Sequence, residues 1–164
     1  MSGDGRLRPF VVSPDNPRAR LTAFIKGARK QLLIYDPKVS HPAIIKLLVE
    51  RAKAGVEVKI IGKLTGHREE LAVQRFPGKR LHVRAIVRDG RFAFVGSQSL
   101  RRLELEKRRE VGILIRDANV VRQMKDVFDR DWAETASGKK QAKVAEKTEK
   151  AEKTDESEAV AAAS

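Results

Sequence analysis

Residues 82 to 99 hold the chemical groups that a phosphate-handling site needs. They include an imidazole, a guanidinium, two hydroxyl groups and loop backbone N–H groups, contributed by His82, Arg84, Gly96, Ser97 and Ser99. Cations and N–H donors can hold the oxygens of a phosphate, and a histidine nitrogen can attack phosphorus. If folding brings these groups together, phosphoryl transfer is the chemistry that they favour.

The segment that separates these groups has the pattern of a β-hairpin. Residues 81–87 alternate as a strand, and Asp89-Gly90 is a strong hairpin turn signal that precedes a return strand. Residues two apart in a strand share a face, so the histidine and the arginine are expected on one surface. The turn would fold the glycine and the serines back beside them. We therefore predict one concave surface that carries all of these groups.

The spacing resembles the signature motif of the phospholipase D superfamily. That motif is His, any residue, Lys, four residues, Asp, six residues, Gly-Ser, any residue, Asn. Arg84 stands here in place of the lysine, and Ser99 in place of the asparagine. The arginine keeps the positive charge but cannot donate a proton near neutral pH, and the serine lacks the donating amide. The positions that match in register are His82, Asp89, Gly96 and Ser97.

The resemblance implies a role for each position of the motif. His82 would be the nucleophile that forms a phosphohistidine, or the general acid that protonates the leaving oxygen. Arg84 would bind nonbridging phosphate oxygens, and Asp89 would orient a histidine or brace the hairpin. Glu110 could orient the imidazole, as a carboxylate does in hydrolase triads. The resemblance implies no metal and no cofactor. The phosphate would be bound by Gly96, Ser97 and Ser99, with holding the loop as the alternative role of the two serines.

Family members of this type need two motifs, and this sequence contains one. The resemblance therefore implies a homodimer or a partner chain that supplies a second motif. The substrate would be an anionic phosphodiester, with phospholipid as the first candidate. A homodimeric nuclease acting on nucleic acid is the alternative, and a catalytically inactive half-domain that binds phosphate is a third hypothesis.

The elements around the hairpin predict an α/β fold. Two short apolar runs, residues 31–35 and 56–61, flank a helical pattern over 42–54, which indicates parallel strands joined by a helix. A short helix is expected around 69–74. Residues 11–132 resemble one phospholipase D-type repeat, most like the second half of a two-motif protein. The resemblance implies a mixed sheet flanked by helices, in a domain over 10–133.

Charge and composition restrict the remaining possibilities. The net charge of +13 lies within residues 1–136, because the tail over 137–164 has six lysines and six acidic residues. A basic fold favours polyanionic partners such as nucleic acid or anionic lipid headgroups. The tail lacks large apolar residues and is predicted to be disordered. The sequence has no cysteine and no apolar run long enough for a transmembrane segment, so a cytoplasmic protein is expected.

Overall fold

A seven-stranded mixed sheet forms the centre of the molecule. The computed structural model describes residues 10–12, 17–78, 80–101 and 109–148. The sheet has the order β1-β7-β6-β5-β2-β3-β4, in which β2, β3 and β4 are parallel and the other neighbours are antiparallel. The strands are β1 (Phe10–Val12), β2 (Gln31–Val39), β3 (Glu57–Leu64), β4 (Ala72–Gln74), β5 (Ala85–Arg88), β6 (Phe92–Gly96) and β7 (Val111–Ile115).

Two helices cover one face of the sheet. Helix α1 spans Pro17–Lys26, and helix α2 spans Pro42–Lys53 between the parallel strands β2 and β3. The apolar side of α2 packs into a core with inward side chains of the sheet, which include Leu32 and Ile34 of β2 and Val58 and Ile60 of β3. Gly55, with a φ of 89°, ends α2 in the left-handed conformation that glycine adopts at little cost.

A third helix covers part of the opposite face. Helix α3 spans Ala118–Glu134, and the Asp117 side chain caps it by accepting hydrogen bonds from the first free N–H groups. Phe128 and Trp132 of α3 are buried against Tyr35 of β2, with ring centroids 4.9 Å apart between Tyr35 and Phe128. The same core includes Val87 of β5 and Ala93 of β6, whereas Val95 of β6 and Val111 and Ile113 of β7 remain exposed.

The sheet topology brings several strand ends to one edge of the sheet. Strands β2, β3 and β6 end at this edge, and the antiparallel strands β5 and β7 begin there. The opposite edge carries the turn between β5 and β6. The α/β fold predicted from the sequence is confirmed, including the helix that connects the two parallel strands.

Three local predictions differ from the structure. Residues 72–74 form strand β4 rather than part of a short helix, because they pair with β3. Strand β5 begins at Ala85, so the residues from 81 to 84 precede it as irregular chain. The predicted disordered tail is helical over 136–148, while 149–164 lie outside the described residues. In the part of the chain that the structure describes, no helix is long and apolar enough to cross a membrane.

Candidate phosphodiesterase site

The edge where the strand ends meet carries most of the residues predicted to handle phosphate. His82 and Arg84 lie directly before β5, and Gly96 is the last residue of β6. The Gly96 backbone N–H donates to the Arg84 carbonyl oxygen at 3.2 Å, which continues the hairpin pairing past the end of β5. Ser97 pairs with Val111, the first residue of β7, and Glu110 directly precedes that residue. The hairpin therefore brings these five residues to one edge of the sheet.

His82 presents its imidazole to solvent. Its side chain is exposed, and Arg84 beside it is half-buried, with a guanidinium nitrogen 3.4 Å from the His82 carbonyl oxygen. An exposed imidazole next to a fixed guanidinium can reach a phosphate that approaches from solvent. The position of His82 is thus compatible with attack on phosphorus, and the alternative of a histidine buried in apolar core is excluded.

Ser97 joins the end of β6 to the start of β7. Its backbone N–H donates to the Val111 carbonyl oxygen at 3.0 Å, and its Oγ accepts from the Val111 N–H at 3.1 Å. The Gly96 and Ser97 N–H groups are therefore engaged within the sheet, unlike the free donors expected from the sequence. The Ser97 hydroxyl remains exposed at the edge. Of the groups on Gly96 and Ser97, this hydroxyl is the one that can still contact a phosphate.

Glycine at position 96 is required by close packing. A Cβ added there would lie 2.8 Å from the Cα of Gly112, the residue that faces it on β7. It would also lie 2.7 Å from the side-chain oxygen of Gln98, which is buried over this glycine pair. The Gln98 amide nitrogen lies 3.4 Å from the carbonyl oxygen of Glu110, so the amide connects both sides of the edge.

Ser99 does not lie on the surface with His82, which corrects its prediction as a phosphate ligand. The side chain is fully buried, because residues 98 to 100 turn back into the protein after β6. Its hydroxyl hydrogen-bonds to a carboxylate oxygen of Asp36 and lies 3.5 Å from the Lys38 carbonyl oxygen. Ser99 therefore contributes to the loop that supports the site.

Asp36, which the sequence analysis did not select, is the central support of this loop. Its carboxylate accepts from the Leu100 N–H at 2.6 Å and from the Lys38 N–H at 2.8 Å, in addition to the Ser99 hydroxyl. Burial raises the pKa of Asp36, and these hydrogen bonds together with the Arg84 charge oppose that rise. The carboxylate thus couples β2 to the loop after β6 and faces the guanidinium of the motif. An acidic residue that ends a buried strand was the signal available in the sequence.

Replacing Asp36 with asparagine is expected to impair catalysis through the loop and Arg84. An amide offers one acceptor oxygen and turns N–H donors toward groups that are themselves donors. Misplacement of reacting groups by about 1 Å can reduce turnover by roughly 100-fold. We expect Asp36→Asn to lower kcat/KM for a small phosphodiester by roughly 10- to 100-fold, measured alongside unfolding by denaturant.

Measuring the free energy of unfolding at several pH values separates the effect of the Asp36 charge from the effect of its hydrogen bonds. The folded-state pKa is raised, so the favourable contribution of protonated Asp36 is present below the unfolded pKa and is lost as pH rises through the folded value. The variant lacks this dependence, and its stability relative to wild type should increase with rising pH. Full activity in the variant would show that the loop does not depend on this carboxylate.

Asp89 lies at the opposite end of the hairpin from His82, which corrects its assignment as a catalytic residue. Its carboxylate accepts hydrogen bonds from the backbone N–H groups of Arg29, Lys30 and Gln31, with the shortest at 2.7 Å to Lys30. Seven extended residues would span roughly 20 Å between the two positions. Of the two roles considered from the sequence, the geometry supports bracing of the hairpin.

Asp89→Ala is expected to destabilise the protein by about 1–3 kcal/mol, because several backbone N–H groups lose a charged acceptor. Burial alone would raise the pKa of Asp89, but the backbone hydrogen bonds outweigh that effect, so the pKa is lowered. The stabilisation is therefore present above the unfolded pKa and is lost as pH falls through the lower folded value. Denaturant unfolding at pH 7 and near pH 3 should show the difference from wild type shrinking in acid.

Asp89→Asn provides the control for backbone strain. Asp89 has a φ of 55°, which asparagine tolerates and alanine does not. The asparagine variant should therefore be less destabilised than the alanine variant. Equal stability of both variants and wild type at pH 7 would contradict the bracing role.

The side chains at the site differ in type from those of a metal-binding centre. Within the described ranges, no three histidine, aspartate or glutamate side chains come together as possible metal ligands. The groups at the edge are instead an imidazole, a guanidinium, a hydroxyl and a nearby carboxylate. Such a set can bind a phosphate and transfer protons.

Comparison with known proteins agrees with the motif and the fold. A family model described as "Cardiolipin synthase, PLD-like domain" matches residues 62–132, which include the whole motif. No curated protein sequence matches the chain significantly.

Solved structures with the same fold have low sequence identity to this chain. The phospholipase D family member Nuc from Salmonella typhimurium has a TM-score of 0.68 and 18% identity, over 77% of this chain and 93% of that chain. NucT from Helicobacter pylori has a TM-score of 0.66 and 16% identity, over 77% of this chain and 95% of that chain. The polyphosphate kinase of Porphyromonas gingivalis has a TM-score of 0.60 and 19% identity, over 78% of this chain and 24% of that chain. With the motif in register and the matching family model, residues 62–132 are similar to a PLD-like domain, and the chain shares the fold of the phospholipase D family member Nuc.

Proposed function

We propose that this protein cleaves or transfers phosphodiesters through a phosphohistidine on His82. The observation that carries the proposal is the exposed imidazole beside Arg84, at the same edge as the Ser97 hydroxyl and Glu110. Arg84 would hold nonbridging oxygens of the phosphate, with Ser97 as a further hydrogen-bond donor. Glu110 would accept a hydrogen bond from the imidazole and so orient its attacking nitrogen.

The reaction would proceed in two displacements. An imidazole nitrogen of His82 attacks phosphorus, the bond to the leaving oxygen breaks, and a second imidazolium donates its proton to that oxygen. Water then attacks the phosphohistidine, the phosphorus–nitrogen bond breaks, and the second imidazole takes up the proton of the water. One imidazole must be neutral and the other protonated in the first step, so a second histidine is required.

A second copy of the chain is the proposed source of that histidine. Six exposed aliphatic side chains, here called the aliphatic patch, lie on the sheet face and helix that adjoin the site. Val83 directly follows His82 in sequence, and Val111 directly follows Glu110. A copy that covers the patch would therefore lie next to the site. In a two-fold dimer the same patch serves both copies. The patch consists of Val83, Val95, Val111, Ile113, Val120 and Val127, which are 36–51% exposed.

Two substrate classes each have one supporting observation. Nucleic acid is supported by the net charge of +13, which lies in residues 1–136. Phospholipid is supported by an apolar groove of about 400 Å³ beside Val83, bounded by Val87 and Met124, which could hold an acyl chain if no second copy covers it. Dimer formation and acyl-chain binding would thus compete for one surface.

The test is turnover of bis-p-nitrophenyl phosphate, a single-stranded oligonucleotide and phosphatidylglycerol vesicles by the purified full chain. A reaction quenched at high pH should contain an acid-labile phosphohistidine at position 82, detectable by mass spectrometry. Absence of turnover on all three substrates by a folded dimer would overturn the proposal and leave the inactive phosphate-binding half-domain. Arg84→Lys with Ser99→Asn would then show whether the departures from the family motif caused the loss.

A further inference from the structure

A strongly basic surface extends away from the candidate site across the ends of the parallel strands. Its first part is a cleft of about 490 Å³ that is lined by Lys38, Lys63, His67, Arg68 and Arg75 among its polar residues. Its second part is a cleft of about 350 Å³ that shares Lys63 and Arg75 with the first and adds Arg80 and Arg101. We call these two clefts together the basic track.

The track ends at the chain segment that directly precedes His82, the proposed nucleophile. Lys63 lies near the end of β3, Arg75 directly follows β4, and Arg80 and Leu81 immediately precede His82. The order of the sheet therefore places the track to one side of the site, across β3 and β4. The aliphatic patch lies on β6, β7, α3 and the chain just before β5, so a second copy bound there would leave the track open.

Three cations of the track are available to a ligand. The side chains of Lys63, Arg75 and Arg80 are exposed, and among the described residues none of these three forms an ion pair. No acidic residue in the described part of the chain lines either cleft. Glu70 is the acidic residue of this region with a defined partner, and it pairs with Lys53 at 3.2 Å, outside both clefts. Lys63, Arg75 and Arg80 therefore give the track exposed positive charge that no described acidic residue pairs with.

The shape of the track favours a linear polyanion. The headgroup of phosphatidylglycerol carries a single phosphodiester, which would occupy the site at His82 and leave both clefts empty. A nucleic acid strand carries a phosphate on every nucleotide, so phosphates beyond the cleaved one would meet successive cations. Phe76, half-buried in the second cleft, provides an apolar ring against which a base can pack.

We propose that the basic track binds the phosphates that flank the cleaved phosphodiester in a single strand of nucleic acid. The proposal rests on the proposed function for the position of the cleaved bond, whereas binding to the track does not require cleavage. Binding should release counterions from the strand and weaken steeply as salt increases, by a log–log slope of about 0.7 for each phosphate contacted.

The test uses charge reversal within the track and a matched reversal outside it. The track variant is Lys63→Glu with Arg75→Glu, and the control is Lys140→Glu with Lys143→Glu on the exposed helix over 136–148. Binding of a labelled 20-nucleotide single-stranded DNA is followed by fluorescence anisotropy at several salt concentrations. The track variant should bind at least roughly 10-fold more weakly, with a salt slope smaller by about 1 to 2. The control should stay within about 2-fold of wild type.

Further outcomes separate this inference from the proposed function. Loss of DNA binding by the track variant, in a protein whose wild type cleaves no phosphodiester, would support the track and overturn the proposed activity. Equal DNA binding by the track variant and wild type would overturn the track. Binding of phosphatidylglycerol vesicles, but not DNA, through Lys63 and Arg75 would also overturn it in favour of a lipid surface. If wild type cleaves the oligonucleotide and bis-p-nitrophenyl phosphate, the kcat/KM for the oligonucleotide, divided by the kcat/KM for bis-p-nitrophenyl phosphate, should be lower in the track variant than in wild type.

Discussion

His82→Ala should reduce phosphodiester turnover by at least about 1,000-fold, which is the scale of loss when a nucleophile or general acid is removed. The side chain is exposed, so the substitution should leave the fold and its thermal unfolding temperature intact. The measurement is the steady-state rate on bis-p-nitrophenyl phosphate for a folded variant. His67→Ala, which changes an exposed histidine in the basic track, provides a comparison for loss of an imidazole away from the motif.

Mixtures of wild type and His82→Ala distinguish one shared site from two independent sites. If each dimer builds one site from both copies, activity after subunit exchange should fall with the square of the wild-type fraction. If each copy acts alone, activity should fall in direct proportion to that fraction. A proportional decrease would contradict the requirement for a second histidine, and undiminished activity of the variant would contradict the role of His82.

Ile113→Asp and Val127→Asp should each convert a dimer into monomers and reduce turnover by at least about 100-fold. Both side chains belong to the aliphatic patch, with exposed fractions of 40% and 42%. A buried carboxylate without a partner strongly disfavours association, and a monomer would lack the second histidine. Sedimentation velocity at several protein concentrations and the activity assay together measure the effect.

Val144→Asp is the matched control for the aliphatic patch. Val144 is 57% exposed on the helix over 136–148 and does not belong to the patch. This variant should sediment and react like wild type. Monomeric Ile113→Asp or Val127→Asp protein with wild-type activity would show that one copy suffices, and dimeric variants would show that the copies meet on another surface.

The sequence predicted the fold and the meeting of the hairpin ends because both depend on short-range patterns. The apolar residues 85–87 and the Asp89-Gly90 turn determine the hairpin, and the pairing of the hairpin places Gly96 opposite Arg84. Apolar runs on both sides of an amphipathic helix similarly determine the parallel strands. Each of these features follows from hydrophobic period and turn chemistry within about 20 residues.

The support of the site could not be predicted because it depends on contacts between distant segments. Asp36 and Ser99 are 63 residues apart, and the sequence alone does not show that their side chains point at each other. Matching the motif position made Ser99 a phosphate ligand, whereas the turn after β6 buries it. Asp89 shows the same error. Its matching position predicts a catalytic role, although the carboxylate braces the other end of the hairpin. The catalytic role of His82 remains a prediction.

The position of β2 in the sheet has a consequence for how the chain must fold. β2 pairs in parallel with β3, its near neighbour in sequence, but its other side is paired by β5, which begins at residue 85. During synthesis, the segment up to residue 64 can bury one side of β2 while the apolar strand QLLIY keeps an open edge. Open apolar strand edges promote aggregation, and β5 removes this edge only after the hairpin has emerged. Truncation before residue 85 should therefore yield an insoluble product rather than a smaller folded unit.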